Sequence, residues 1–239
     1  MIYTTEQIDW LRLYRTEGVG PITFYRLLQK YKTASAAIDA LPHIVKTKSV
    51  SVVSRDDAER ELDALSKLGG HMIFAGDETY PLSLSAIEDA PPVLSVIGNI
   101  DLLHKQSVAI VGSRNASLNA RKLATKMARD LGTADLVVTS GLARGIDTAA
   151  HEGALASGTI AVVAGGVDVV YPKENTELYK QICAQGAVIS ECALGTQPLA
   201  QHFPKRNRIV SGLSDGTVVV EANFRSGSLI TARMAGEQG

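Results

Sequence analysis

The stretch Leu136-Val137-Val138-Thr139-Ser140-Gly141-Leu142-Ala143-Arg144-Gly145-Ile146-Asp147 decides how this chain folds. Its opening run, Leu136–Thr139, is apolar and β-branched, the composition of a buried strand. Gly141 and Gly145 then let the main chain turn, and a helical pattern opens at Ile146 and runs on through Thr148-Ala149-Ala150-His151. A strand that turns straight into a helix leaves the first helical amides without partners. Those N–H groups and the helix dipole together favour an anion. The stretch therefore predicts one strand–helix unit of a parallel sheet, with a cradle for a phosphate at its turn.

Four more apolar runs have strand character: Val108–Val111, Thr159–Val163, Ala187–Ser190 and Thr217–Glu221. Helical spacing fills the intervals over Leu118–Leu131, Ile146–Ala156, Glu174–Ala184 and Phe203–Leu213. Alternating strands and helices, with nearly continuous apolar strands, indicate an α/β fold whose parallel sheet has helices on both faces. His71–Ala75 and Val93–Ile97 add two strand candidates, with Pro81, Pro91 and Pro92 between them. Before these, residues 1–69 read as four short helices, closed by Gly69-Gly70. The expected organisation is a small helical domain over 1–69 and a sheet domain over 70–239. A final helix, Leu229–Glu237, has no strand after it, so the sheet domain reads as cut short at Gly239.

A chain of 239 residues can bury one sizeable core and a smaller one. Its formal net charge of −1 excludes a general polycation, so any nucleic-acid contact must gather basic residues on one face. The two cysteines, Cys183 and Cys192, lack metal-ligand spacing and are too few for a disulfide scaffold, which suits the cytoplasm. No apolar run approaches the ~20 residues that span a bilayer, so no membrane partner is expected. P-loop, Gly-x-Gly-x-x-Gly, His-Glu-x-x-His and Gly-x-Ser-x-Gly patterns are absent. No cofactor, metal site or catalytic residue is expected.

Anion-binding elements recur instead. Gly112-Ser113-Arg114 follows the strand Val108–Val111 and makes a second cradle, with a guanidinium suited to a phosphate oxygen. Taken singly, either glycine turn also fits plain chain reversal. After Thr159–Val163 come Gly165-Gly166-Val167-Asp168 and Tyr171-Pro172-Lys173, which put an ammonium at the same sheet edge. Phe203-Pro204-Lys205-Arg206-Asn207-Arg208 is the densest cationic segment. Pro204 fits a first helical turn, where cations oppose the helix dipole unless an anion is bound. Phe203 offers either a stacking face or a core side chain. Asp147 reads as a first-turn acid and His151 as structural. Gly18-Val19-Gly20 reads as a packing turn between two helices, although such a turn can also hold a DNA backbone through its amides. Glu191 and Glu221 lie at strand ends, where they would orient basic side chains or, in a nucleotide-cleaving enzyme, assist glycosidic cleavage.

Together these segments resemble the DNA-processing protein A family, also called Smf. The resemblance rests on Val108-Ala109-Ile110-Val111-Gly112-Ser113-Arg114, Ser140–Asp147, Gly166-Val167-Asp168 with Tyr171-Pro172, and Phe203-Pro204 with Arg206–Leu213. It continues through Val219-Val220-Glu221-Ala222 and Ser226–Ala232, and covers nearly everything from His71 onward. The first helices look like that family's sterile-alpha-motif (SAM)-like domain. Cys192-Ala193-Leu194-Gly195 departs from the family pattern.

The resemblance implies an extended Rossmann-like domain and a non-enzymatic protein of natural transformation. Such a protein binds and protects incoming single-stranded DNA, loads the RecA recombinase onto it, and forms a homodimer. It also implies backbone-phosphate contacts by Arg114, Ser140, Gly141, Lys173, Arg206, Asn207 and Arg208 and a base contact by Phe203, to which the second cradle and the cationic segment add Gly112, Ser113 and Lys205 as candidates. The other reading of the same cradles is a nucleotide-binding sensor or a glycosidic-bond hydrolase on a related scaffold.

Overall fold

A computed structural model describes residues 3–44, 51–223 and 226–239. Helices α1 (Thr5–Arg15), α2 (Pro21–Tyr31), α3 (Ala34–Ile44) and α4 (Arg55–Lys67) come first. Their starts are fixed locally. Thr4 and Gln7 make a reciprocal cap on α1, Pro21 opens α2 and Ser54 caps α4. The first three helices share a core of Leu13, Phe24, Leu27, Ile38 and Leu41, with the Trp10 and Phe24 rings edge to face at 5.0 Å. Val19 of the Gly18-Val19-Gly20 turn is buried in that core, as a packing turn requires. Helices α1 and α4 also present Ile8, Leu11, Leu62 and Leu65 to the sheet, against Met72 and Phe74.

The sheet has seven strands. They are β1 (Gly70–Phe74), β2 (Val93–Gly98), β3 (Ser107–Gly112), β4 (Val137–Ser140), β5 (Thr159–Val162), β6 (Ala187–Ser190) and β7 (Gly216–Val220), in the order β1-β2-β6-β5-β4-β3-β7. The five strands expected to be parallel are parallel. The other two add to one side as an antiparallel pair, β2 running against β6. A short helix α5 (Leu82–Ser85) lies between β1 and β2.

Helices α6 (Leu118–Thr133), α7 (Ile146–Ala154) and α8 (Thr176–Gln185) follow β3, β4 and β5, and α9 (His202–Gly212) and α10 (Gly227–Gln238) flank β7. Residue alternation along the strands assigns the faces. Ile110, Val138 and Val220 pack under α6 and α7 through Ala124, Ala128 and Ala150. Their neighbours Ala109, Val111, Val137 and Val162 face the other way, against Ile209, Val210 and Leu213 of α9.

This topology positions the site. From β3 to β6 the chain steps along the sheet in one direction, then returns through α9 to place β7 on the far side of β3. The helix leaving β3 covers one face, whereas α10, packed on α9, covers the other. Strand order thus reverses between β3 and β7. A crevice opens beyond their carboxyl ends, where open α/β sheets take ligands.

Candidate nucleic-acid interface

The crevice is a cleft of about 620 Å³. Gly112, Ser113, Arg114 and Asn115 form one wall, Phe203, Pro204 and Asn207 of α9 another, and Asn223 with Ser226–Ser228 the third. Two helix starts therefore meet here. Asn207 Nδ2 donates to the Gly227 carbonyl at 3.3 Å and ties α9 to the beginning of α10. The converging helix dipoles and the Arg114 guanidinium favour a negative ligand.

Arg114 is exposed, and its Cζ lies 4.9 Å from the centre of the Phe203 ring. On the ring's other neighbour, Tyr171 sits with its centroid 5.6 Å from that of Phe203, tilted by 55°. Phe203 is partly exposed and Tyr171 is 48% exposed. Guanidinium, phenyl and phenol thus follow one another in a stepped surface that starts at Arg114 and Phe203 in the cleft lining and continues to Tyr171 outside it. It can meet a phosphate at one end and stack bases at the other. In the sequence Tyr171 stands out only as part of the Tyr171-Pro172 pair. Its value as a platform depends on Phe203, 32 residues away in the chain.

The cradle at Ser140–Asp147 is real but already filled. The Asp147 carboxylate accepts from the N–H groups of Gly141 at 3.2 Å and Ala143 at 3.3 Å. The anion is supplied by the protein's own helix. Burial raises the Asp147 pKa, opposed by the Arg206 charge and these two amides. Asn175 Nδ2 closes the loop from behind, donating to the Leu142 carbonyl at 2.9 Å. Ser140 and Gly141, expected from the sequence to meet phosphate, both have partners inside the protein. The Ser140 hydroxyl is buried and donates to the Ile110 carbonyl at 2.6 Å, and the Gly141 N–H belongs to Asp147.

The cationic segment of α9 splits in three directions. Arg206 is buried in the floor of the cleft, where its Nη1 donates to the Val162 carbonyl at 2.9 Å. Burial, partly offset by Asp147, lowers it to about 10, so it remains a cation at neutral pH. Arg208 lies outside the cleft. Its Nε meets Asp89 at 3.1 Å and its Nη2 meets Glu191 at 2.5 Å. Arg208 thus spends its Nε and Nη2 on two carboxylates, and its Nη1 is buried away from the cleft. Lys205 is exposed, and neither it nor Lys173 lines the cleft. Lys173 is exposed two residues beyond Tyr171, at the edge of the stepped surface.

The carboxylates considered for cleavage are also engaged. Glu221 accepts from the Ser117 hydroxyl at 2.5 Å and from its N–H at 2.9 Å, and these bonds lower its pKa. Glu191 accepts from the Tyr14 hydroxyl at 2.6 Å as well as from Arg208, and lies outside the cleft lining.

His151 shares α7 with Asp147 and is fully buried. The Thr159 hydroxyl donates to the Val138 carbonyl, so His151 Nδ1 carries the proton and donates to Thr159 Oγ1 at 2.7 Å. Burial and then the Arg206 charge push its pKa from 6.5 down to about 3. Because the folded value is the lower one, the unfolded chain binds the proton more tightly. His151 therefore contributes stability that is complete above about pH 6.5 and lost as the pH falls toward 3, at about 1.4 kcal/mol per unit. The raised Asp147 acts in the opposite sense in the acid range, and a His151→Asn variant leaves that contribution in place. The difference in urea-unfolding free energy between the two proteins should change by about 2 kcal/mol between roughly pH 7 and pH 5. A constant difference would show that His151 titrates normally.

Known proteins match this arrangement along most of the chain. Residues 71–239 fit the family described as DNA recombination-mediator protein A, and residues 4–64 fit the DprA-like N-terminal HHH domain. DNA processing protein DprA of Streptococcus pneumoniae is 51% identical over 165 residues, 68% of this chain and 58% of that protein. Protein Smf of Escherichia coli is 44% identical over 188 residues, 77% of this chain and 50% of that one. The chain thus spans about half to three-fifths of the length of these two relatives. The X-ray structure of the pneumococcal protein superposes with a TM-score of 0.81 at 35% identity, covering 100% of this chain and 85% of that one. The structure describing the single-stranded DNA binding mode of DNA processing protein A from Helicobacter pylori gives a TM-score of 0.66 at 30% identity, over 71% and 77% of the two chains. The helical amino-terminal unit, the seven-stranded sheet and these matches together show that the chain belongs to the DNA recombination-mediator protein A (DprA/Smf) family.

Proposed function

We propose that this protein binds single-stranded DNA in the cleft between β3 and β7 without catalysing a reaction on it. In natural transformation it would protect incoming strands in the cytoplasm and pass them to a RecA recombinase, acting as a homodimer. The observation that carries the DNA-binding reading is the row of Arg114, Phe203 and Tyr171 that leads out of the cleft. A backbone phosphate on Arg114 and the helix starts would leave the attached bases against the two rings. Phosphate contacts and stacking are both indifferent to base identity, so sequence preference is low. The single-stranded DNA described for the Helicobacter pylori protein supports the same ligand. A nucleotide hydrolase needs a carboxylate free to exchange a proton beside the sugar. Glu221 is held by Ser117, Glu191 lies elsewhere and Asp147 faces its own amides. We further place the boundary between the two domains at residues 69 and 70.

Two substitutions separate the phosphate from the base contribution. Arg114→Ala removes a charged hydrogen bond worth about 1.5–3 kcal/mol, so affinity for oligothymidylate should fall roughly tenfold or more. Its log–log salt slope should lose about 0.7, one phosphate's share on a single strand. Phe203→Ala removes stacking worth about 1–3 kcal/mol per base and should leave the salt slope unchanged. Fluorescence titrations across salt, with thermal unfolding as control, read both. Wild-type affinity in both variants, or equal binding of mononucleotides, would end this assignment.

A further inference from the structure

Helix α6 carries a second basic surface that the fold does not explain. Arg121, Lys122, Lys126 and Arg129 line a groove of about 430 Å³ between α6 and α7. All four are exposed and contribute nothing to the core. Their spacing returns each to one side of the helix. Among the described residues, the only ion pair they make is Lys126 with Asp130 at 2.5 Å, a solvent-exposed pair four residues apart. The groove holds one acid, Glu152. Four cations thus gather against two carboxylates in a chain whose net charge is −1.

The groove neighbours the cleft. Ala143 lines the cleft, whereas Gly145 and Thr148, two and five residues further on, line the groove. A single ridge separates them. It is made by the Ser113–Ser117 turn against the start of α7, where the Ile146 N–H donates to the Ser113 carbonyl at 3.2 Å. Gly145, with φ of +80°, lets the two loops touch, because a side chain there would collide with the Ser113 carbonyl. Arg114 stands on the cleft side of this ridge, and α6 begins four residues later.

We infer that the α6–α7 groove is a backbone track for the same single strand whose neighbouring nucleotides occupy the cleft. The inference rests on the reading of the cleft as a DNA site and extends the bound length beyond it. The stripe from Arg121 to Arg129 is about 12 Å long at the helical rise, room for a short run of phosphates. The groove has no aromatic side chain, so it holds the backbone electrostatically and leaves the bases outward. Leu118, 59% exposed at the end nearest the ridge, gives the sugars an apolar shoulder.

The test uses the full chain and a variant carrying Arg121→Gln, Lys122→Gln, Lys126→Gln and Arg129→Gln. Glutamine keeps helix propensity at exposed sites. Oligothymidylates of about six and about twenty nucleotides, spanning the site sizes of single-strand binders, are titrated at several salt concentrations. With the long oligomer, the variant should lose about 2 from its salt slope, roughly 0.7 for each of about three phosphates. Extrapolated from 1 M salt, that slope corresponds to roughly a hundredfold weaker binding at about 0.1 M. The short oligomer should bind both proteins alike and remain sensitive to Arg114→Ala.

Unchanged long-oligomer affinity and slope would overturn the track while leaving the cleft reading intact. An equal loss on both oligomers would also overturn it, by showing a general field rather than a located path. Loss of binding to polyglutamate or anionic vesicles, with DNA binding unchanged, would assign the groove to another partner. If the wild-type protein binds neither oligomer, the cleft reading fails and the track falls with it.

Discussion

Arg208→Met should lower the free energy of unfolding by about 3–5 kcal/mol and leave oligothymidylate affinity within about twofold of wild type. Arg208 is buried, and it is the cation that faces Glu191 and Asp89. Methionine fills a similar volume but strands the Glu191 carboxylate, of which only 14% of the side chain reaches solvent. The loss is large because an unpaired buried charge keeps its desolvation penalty after its attraction is gone. Glu191 also accepts from Tyr14, and its backbone carbonyl accepts from Arg15 at 2.8 Å. The variant should therefore loosen the amino-terminal helices from the sheet. Urea unfolding measures the first quantity and a DNA titration the second. A DNA-binding loss as large as that of Arg114→Ala, with normal stability, would return Arg208 to the interface.

Gly141→Ala is the smallest change with a comparable effect. A methyl group on Gly141 would land on the Arg206 guanidinium, which lies directly against that Cα in the cleft floor. Arg206 is 5% exposed and held by the Val162 carbonyl, so its guanidinium can move aside only by giving up that bond and turning into the cleft. Displacing it breaks its bond to the Val162 carbonyl and weakens the cationic charge that acts most strongly on Asp147. About 3–5 kcal/mol should be lost, together with measurable oligomer affinity, because Arg206 and α9 shape the cleft. Combining Gly141→Ala with Arg206→Met gives the methyl group room. The double variant should therefore be less destabilised than the sum of the two single changes, by a coupling of about 0.5–3 kcal/mol. Strict additivity, or wild-type stability for Gly141→Ala alone, would show that the two residues do not press on each other.

The splitting of the α9 cations was legible in part. Residues two apart on a helix point in nearly opposite directions, so Arg206 and Arg208 could not share one phosphate path. Their sequence proximity suggested a cluster, and the helical geometry of the same segment argued against it. Tyr171 shows the opposite limit. Nothing in the run Tyr171-Pro172-Lys173 signals a stacking surface, because that surface exists only where the loop after β5 meets the first turn of α9. The start of α10 was visible as Ser226-Gly227-Ser228, and the logic that marked Gly112–Arg114 applies equally to it.

The sequence alone determined the strands, the helices and the glycine turns between them, because periodicity and turn chemistry act over a few residues. It also marked some of those turns as candidates for holding an anion. Only the tertiary structure decided which turn stays open. Asp147 folds back onto the amides of the Ser140–Asp147 turn and closes it. The turn after β3 remains open because β7 pairs with β3 from more than a hundred residues away, Val108 opposite Gly216, and reverses the strand order beside it. That pairing is a long-range choice made by the whole sheet, and no local pattern encodes it.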